Sequence, residues 1–104
     1  MTDKILVLTT AGSEAEARNI AYALVDRKLA ACANIIPRIQ SIYRWQGKIE
    51  ESEEYLLLIK TTADHFTKVR DAIQELHSYD LPECIAVPIS NGSDPYLKWI
   101  GTAL

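Results

Sequence analysis

The sequence predicts a single α+β domain in which helices pack on one face of an antiparallel β-sheet. Runs of branched and aromatic residues alternate with two amphipathic segments, in the order strand, helix, strand, strand, helix, strand. Turn-forming residues separate these segments, and no linker or low-complexity stretch divides the sequence. The 104 residues, 48% of them hydrophobic, are enough to form one core. We therefore expect residues 1–104 to form one domain.

A hydrophobic run and a capping motif mark the first strand and the first helix. Residues 4–10 are mainly apolar and uninterrupted, which is typical of a buried strand. Ser13 and Glu16 then have the spacing of a capping box, and an amphipathic pattern continues to about Leu29. The predicted helix carries one stripe, formed by Ala17, Ile20, Ala21, Leu24 and Lys28.

Residues 32–62 predict an unusually long β-hairpin around a glycine turn at residues 45–48. An arm of about 14 residues spans about 46 Å at about 3.3 Å per residue, whereas a helix of about 16 residues covers about 24 Å. The outer half of the hairpin, with Ile42, Tyr43 and Trp45, therefore extends beyond the cover that the helices provide. We expect another subunit to cover these three side chains. Four glutamates are expected to form a solvated face of the hairpin: Glu50, Glu51, Glu53 and Glu54.

The second half of the chain predicts a helix over residues 64–78, with Asp64 as its cap and Pro82 preventing its continuation. Its apolar stripe is formed by Phe66, Val69, Ile73 and Leu76. Residues 84–89 predict the fourth strand. A short last helix over residues 96–103 follows a cap at Asp94 and a proline at the first helical position.

This order of elements is that of the ferredoxin-like βαββαβ sandwich, here with an extended β2–β3 hairpin and a short C-terminal helix. In that topology the second and fourth strands lie at opposite edges of the sheet. Pro37 and Pro88, which cannot donate to a ladder, then occupy edge strands or bulges. Cys32 and Cys84 are expected to lie too far apart for an intrachain disulfide and to act as small buried hydrophobic residues.

Composition and motifs argue against several classes of function. The net charge of −3 and the pI of about 5.3 give no reason to expect a nucleic-acid partner. The N-terminal residues do not form a signal peptide, and no apolar run is long enough to span a membrane, so a cytoplasmic protein is expected. No nucleophile motif or phosphate-binding loop is present, which favours a protein that is not an enzyme.

Three stretches, residues 27–35, 41–50 and 77–83, carry a specific resemblance at their observed spacings. They read RKLAACANI, SIYRWQGKIE and HSYDLPE. Residues 58–62 and 96–100 also match the pattern of the same family. The chain resembles the CutA family of divalent-cation tolerance proteins over nearly its whole length. The resemblance implies a ferredoxin-like subunit in a PII-like homotrimer, a role in tolerance of copper and other divalent cations, and no established reaction.

Metal-ligand candidates are His77 and Glu83, since imidazole suits copper and zinc. Some bacterial relatives carry a cysteine at the end of the first strand and a His-His pair after the second helix, whereas this chain has Thr9 and Leu76 there. Two proposed family ligands are thus absent. Either His77 binds Cu(II) or another divalent cation with help from Glu83, or it is a surface or supporting histidine. No cofactor is expected to be required.

A second candidate site is a ligand pocket between subunits. Lys60 ends an apolar strand and needs a partner, for which Glu83 is a candidate. The pocket residues would be Asn34, Trp45, Lys60, Tyr79 and Glu83. The alternative is that Lys60 and Glu83 form an ion pair that stabilises the trimer. The leading hypothesis is a trimer that binds or responds to divalent metal, and the alternative is a PII-like signalling or scaffold trimer for a small ligand or protein partner.

Overall fold

The computed structural model describes residues 2–104, which form four strands, three α-helices and one turn of 3₁₀ helix. Their order confirms the predicted ferredoxin-like arrangement and the added C-terminal helix. No helix within the described residues is long and apolar enough to cross a bilayer. The elements are β1 (Lys4–Ala11), α1 (Glu14–Asp26), β2 (Cys32–Trp45), β3 (Lys48–Thr62), the 3₁₀ turn (Ala63–His65), α2 (Phe66–Leu76), β4 (Ile85–Pro88) and α3 (Asp94–Thr102).

The four strands form one antiparallel sheet in the order β2-β3-β1-β4, so β2 and β4 lie at its two edges. Pro37 and Pro88 therefore lie on edge strands, as predicted. The ladder between β2 and β3 shifts register between Ile36 and Ile39, and Arg38 in this bulge has a φ of 56°. The proline thus coincides with a bulge, where its missing donor does not interrupt a regular ladder.

The β2–β3 hairpin is as long as the sequence predicts, with arms of 14 and 15 residues. Gln46 and Gly47 form its two-residue turn with φ values of 50° and 79°, the left-handed pair that a type I′ hairpin requires. Beyond the bulge the two arms pair only with each other, from Ile39–Glu54 to Trp45–Lys48. This outer half gives the chain its elongated dimensions of 44 × 25 × 23 Å.

One face of the sheet carries the core, and α1 and α2 both pack on it. The side chain of Ser13 caps α1 by accepting a hydrogen bond from the Glu16 amide at 3.2 Å. The largest fully buried side chains in this core come from β1, β3, α1 and α2: Val7, Ile20, Leu24, Leu57, Ile59, Val69 and Ile73.

The opposite face of the sheet is covered only at one end, by α3. The hydroxyl of Tyr96 in α3 accepts a hydrogen bond from Nζ of Lys60, and Ile100 is fully buried beneath the helix. The rest of this open face is apolar and only partly buried within one chain. Its exposed or half-buried members are Leu6, Leu8, Ile36, Leu56, Leu58, Ile85 and Val87.

The helix ends differ from their predicted positions. α1 stops at Asp26 rather than near Leu29, because Lys28 adopts a left-handed φ of 59°. The amides of Lys28 and Leu29 then donate to the carbonyls of Val25 and Leu24, which is the Schellman ending. Lys28 is therefore exposed beyond the helix and does not extend the predicted stripe.

The predicted caps of the other two helices are also wrong. Asp64 lies inside the 3₁₀ turn, and the hydroxyl of Thr62 instead pairs with Nδ1 of His65 at 2.7 Å. α3 begins one residue earlier than a cap at Asp94 would allow, with Ser93 at the N-cap position. Two short polar residues adjoin each helix start, so sequence alone did not determine which one precedes the first helical residue.

Candidate functional site

A cleft of about 600 Å³ lies between the outer half of the hairpin and the loop of residues 77–84 that joins α2 to β4. We call it the hairpin cleft. Its walls combine aromatic and aliphatic side chains with three carboxylates. The lining residues are Thr10, Ser41, Ile42, Tyr43, Trp45, Glu54, Tyr79, Asp80, Leu81 and Glu83.

Glu54 is the most buried carboxylate of the hairpin cleft, with only 7% of its surface exposed. Its Oε2 accepts a hydrogen bond of 3.0 Å from the Tyr79 hydroxyl. The prediction that Glu54 belongs to a solvated glutamate face is wrong. Glu54 shares a face of β3 with Leu56 and Leu58, and Tyr79 from the loop covers it.

Glu83 is the second carboxylate of the cleft and lies within electrostatic reach of Glu54. Glu83 is exposed within one chain, but its partial burial against the cleft wall, and then the negative charge of Glu54, raise the pKa of its carboxyl above the usual value. Neither carboxylate forms an ion pair with a Lys, Arg or His side chain of residues 2–104. The hairpin cleft therefore concentrates negative charge that this part of the chain does not neutralise.

Tyr79 connects the loop to the hairpin. Burial, followed by the hydrogen bond to Glu54, raises the pKa of Tyr79 to about 12. Its hydroxyl lies close to Gly12, where an added Cβ would approach the oxygen to 2.9 Å. Glycine at this position therefore leaves the space that the tyrosine hydroxyl needs to reach Glu54.

His77 attaches this loop to β1. Its Nε2 is 2.6 Å from the carbonyl oxygen of Thr10, and its Nδ1 accepts from the Tyr79 amide at 3.1 Å. These two partners fix the tautomer that carries the proton on Nε2. The imidazole side chain is completely buried and stacks obliquely on Tyr79, with ring centroids 4.6 Å apart. Both ring nitrogens are thus engaged in holding the loop.

Glu16 of α1 fastens the start of the same loop. One of its oxygens accepts from the Ser78 amide at 3.0 Å, and the other lies 3.8 Å from Nδ1 of His77. Burial alone would raise the pKa of Glu16, but hydrogen bonds, chiefly from Ser78, outweigh it and lower the pKa. The predicted capping-box residue therefore binds the loop instead of only closing its own helix.

The predicted ligand residues divide between two regions. Trp45, Tyr79 and Glu83 line the hairpin cleft together. Lys60 instead donates to the Tyr96 hydroxyl at 3.2 Å and does not pair with Glu83 within the described chain. It is six residues from Glu54 along β3, a separation of about 20 Å at about 3.4 Å per residue. Asn34 also lies away from the cleft, where its Oδ1 accepts a weak hydrogen bond from Cys32 Sγ at 3.6 Å.

The structure also shows where the predicted metal ligands and the predicted interface residues lie. His77 is buried behind the cleft, whereas Glu83 lies on its wall. No group of three or more His, Cys, Asp or Glu side chains that could hold a metal occurs in residues 2–104. The three residues predicted to contact another subunit are exposed within one chain, Ile42 by 68%, Tyr43 by 44% and Trp45 by 47%.

Thr9 occupies the position at which the family resemblance implies a cysteine in some bacterial relatives. It is fully buried on the core side of β1, and its hydroxyl has no hydrogen-bond partner among the described residues. We expect Thr9→Val to raise the free energy of unfolding by about 1 kcal/mol, since the isosteric change removes an unpaired buried hydroxyl. Urea denaturation at fixed protein concentration measures this, with the exposed Thr67→Val as the control. A destabilised Thr9→Val would show that the hydroxyl is satisfied.

Comparisons with known proteins agree with this architecture. The profile of the family described as "CutA1 divalent ion tolerance protein" matches residues 5–103. A divalent-cation tolerance protein CutA of Thermus thermophilus is 50% identical over 95 residues, which cover 91% of this chain and 92% of that protein. The human protein CutA is 45% identical over 88% of this chain, but the match spans only 51% of the human protein.

Solved structures give the same result. The Thermus thermophilus divalent cation tolerance protein superposes with a TM-score of 0.92 at 49% identity, covering 93% of this chain and 94% of that one. CutA from Xylella fastidiosa superposes with a TM-score of 0.96 at 44% identity, covering 98% of each chain. The described fold, including its long hairpin, therefore occurs in proteins that share nearly half of this sequence.

Proposed function

Because this chain belongs to the CutA1 divalent ion tolerance family, we propose that it acts as a homotrimer that binds a divalent cation in the hairpin cleft. The observation that carries this proposal is the carboxylate pair of Glu54 and Glu83, which no cation of residues 2–104 neutralises. Oε2 of Glu54 is used by Tyr79, whereas Oε1 remains available.

The donor chemistry of the pair favours particular metals. Carboxylate oxygens suit Mg²⁺, Ca²⁺ and Mn²⁺, whereas imidazole suits Cu²⁺ and Zn²⁺. Copper at His77 would have to replace the hydrogen bond to the Thr10 carbonyl or the one from the Tyr79 amide. We therefore assign His77 the role of positioning the loop, and Glu54 and Glu83 the role of ligands. Copper binding through His77 and Glu83 is the competing form of the proposal.

The trimer has two supports. The outer half of the hairpin exposes large apolar side chains that one chain does not cover, and the open face of the sheet is apolar. Exposed apolar surface of this extent is typical of protein–protein contacts. A neighbouring copy would also complete the coordination of a cation held by only two carboxylates, since a hard divalent ion takes six or more oxygen ligands.

Calorimetric titration with Mn²⁺ and Cu²⁺ tests the proposal on three proteins. We expect saturable Mn²⁺ binding to wild type and about tenfold weaker binding to Glu83→Gln, since one of two charged ligands is lost. Glu51→Gln is the matched control, because Glu51 carries the same charge on the exposed hairpin outside the cleft. Equal affinities of all three proteins for both metals would overturn the proposal.

The pH dependence of the same titration provides an independent result. A bound cation favours the ionised form of Glu83, whose pKa is raised by burial and by Glu54. As pH falls, protonation of Glu83 therefore weakens binding at a higher pH than for an ordinary glutamate, and binding levels off above the raised pKa. We expect this pH dependence to be absent from Glu83→Gln. If Glu83→Gln kept the same pH profile, the group that titrates would be a residue other than Glu83, which would contradict this prediction.

A second candidate function is a trimer of PII-like type that binds a small ligand. The specific observation is the size and lining of the hairpin cleft, since about 600 Å³ with aromatic walls exceeds what a metal ion occupies. Tyr43, Trp45 and Tyr79 would supply the contact area, while the carboxylates would orient a polar group.

A further inference from the structure

We propose that the hairpin cleft selects an organic dication, an aliphatic chain with two ammonium groups, as its small-molecule ligand. The inference rests on the second candidate function above, because it uses the same cleft and identifies the class of ligand. Three features of the cleft support it: the carboxylates, the nature of the walls and the absence of lysine and arginine from the lining residues.

The carboxylates set the charge of the ligand. Glu54 and Glu83 lie close enough for the charge of one to raise the pKa of the other, and Asp80 lies at the same wall. Glu54 is more than nine-tenths buried, and its Oε1 accepts no hydrogen bond from residues 2–104. Oε1 is not among the buried unpartnered atoms, so it still reaches solvent from an otherwise buried side chain. A carboxylate oxygen in this position can accept from a ligand that supplies charged N–H groups.

The walls favour a cation with an apolar body. Within one chain Tyr43, Trp45 and Tyr79 present aromatic rings, and Ile42 and Leu81 add aliphatic surface. The three hairpin residues are also those assigned to the trimer contact, so the ligand would bind at the edge of that contact, between two copies. An ammonium group gains energy from aromatic faces as well as from carboxylates, while methylene groups gain from the apolar walls. A metal ion uses neither contribution.

The chain contains an example of this recognition elsewhere. The ammonium group of Lys60 lies 5.4 Å from the centre of the Tyr96 ring and donates to its hydroxyl at 3.2 Å. The hairpin cleft also presents a tyrosine, Tyr79, here beside the carboxylate of Glu54, but no lysine or arginine lines it. Within the described residues, Asp80 is not close enough to Glu54 and Glu83 to form the group of three ligands that a closed metal site would need.

Fluorescence of Trp45 provides a direct test. The chain has two tryptophans, so Trp99→Phe leaves Trp45 as the only one, on the wall of the cleft. In this background we expect putrescine to change the emission in a saturable way at low ionic strength. We expect n-butylamine, with one charge, to bind about tenfold more weakly, and butanediol, with none, not to bind.

Variants in the same background locate the effect. Glu83→Gln is expected to weaken putrescine binding about tenfold, whereas Glu51→Gln on the exposed hairpin should leave it unchanged. Equal responses to putrescine and n-butylamine would indicate a site for a single ammonium group, such as a lysine of a neighbouring copy, and would overturn the inference. A response to butanediol, or no response to putrescine, would overturn it as well.

Titration of the same samples with Mn²⁺ separates this inference from the proposed function. Mn²⁺ binding without putrescine binding would refute the inference and leave the divalent-cation proposal intact. Putrescine binding without Mn²⁺ binding would support the inference and refute the metal proposal. Mutual displacement of the two cations would support both, since they would share Glu54 and Glu83. Absence of both responses would refute both.

Discussion

Replacing His77 with alanine is expected to lower the free energy of unfolding by about 2–4 kcal/mol, because the change leaves buried polar groups unpaired and creates a cavity. The Thr10 carbonyl would lose its donor and the Tyr79 amide its acceptor. The loop of residues 77–84 would then lose its attachment to β1 and be held only by the contacts of Tyr79 with Glu54 and of Ser78 with Glu16. Urea denaturation at a fixed protein concentration measures the loss.

Two further variants distinguish a structural histidine from a metal ligand. His65→Ala is the matched control, because His65 is only partly buried and pairs with Thr62 alone. His77→Gln retains an N–H donor for the Thr10 carbonyl, so we expect it to recover part of the lost stability. Copper affinity should be similar in wild type and His77→Gln. A His77→Ala protein as stable as His65→Ala, or copper binding abolished by His77→Gln, would contradict the structural role.

The long hairpin and the edge positions of Pro37 and Pro88 were predictable because both depend on local signals. Gly47 permits the left-handed turn, and the apolar runs beside it have lengths that count directly as strand residues. Pro37 lacks a donor wherever it lies, which restricts it to an edge or bulge. The end of α1 was not predictable in the same way, because Lys28 adopts a left-handed conformation that glycine usually provides.

The candidate site was predicted only in part, because it depends on contacts between distant segments. Trp45, Tyr79 and Glu83 do meet in the cleft. Lys60 and Glu83 were predicted to be neighbours because each is polar and next to an apolar run. Lys60 instead lies near the C-terminal end of β3, away from Glu54, whereas Glu83 lies in the cleft beside Glu54. Glu54 was missed because four of the five residues 50–54 are glutamates and were treated together as solvated. Glu54 in fact lies on the covered side of the strand.

The period of two along β3 contained the information that would have identified Glu54. It stands two residues before Leu56 and four before Leu58, so all three share one side of the strand. What sequence alone does not give is the loop that covers it. That cover depends on Glu16 and His77 holding residues 78 and 79 against the sheet, which are contacts between α1, the loop and β1.

Trp45→Ala is expected to weaken the proposed trimer by about 3–5 kcal/mol for each buried tryptophan, the usual cost of removing a large buried aromatic side chain. Within one chain Trp45 is 47% exposed next to the hairpin turn, so most of this effect requires burial by a neighbouring copy. Sedimentation velocity over a range of concentrations measures the result. We expect wild type to remain trimeric and the variant to dissociate on dilution, with the helical circular dichroism signal retained.

Trp99→Ala is the control that makes this result specific. Trp99 is 44% exposed, nearly the same as Trp45, but it belongs to α3 and packs against Tyr96 at a ring distance of 5.4 Å. If exposure within one chain determined the effect, the two variants would lose similar stability and neither would change the assembly. If the hairpin tip is the contact, only Trp45→Ala dissociates. A Trp45→Ala protein that stays trimeric at the lowest measurable concentration would place the contact elsewhere, leaving the open face of the sheet as the remaining apolar surface of sufficient extent.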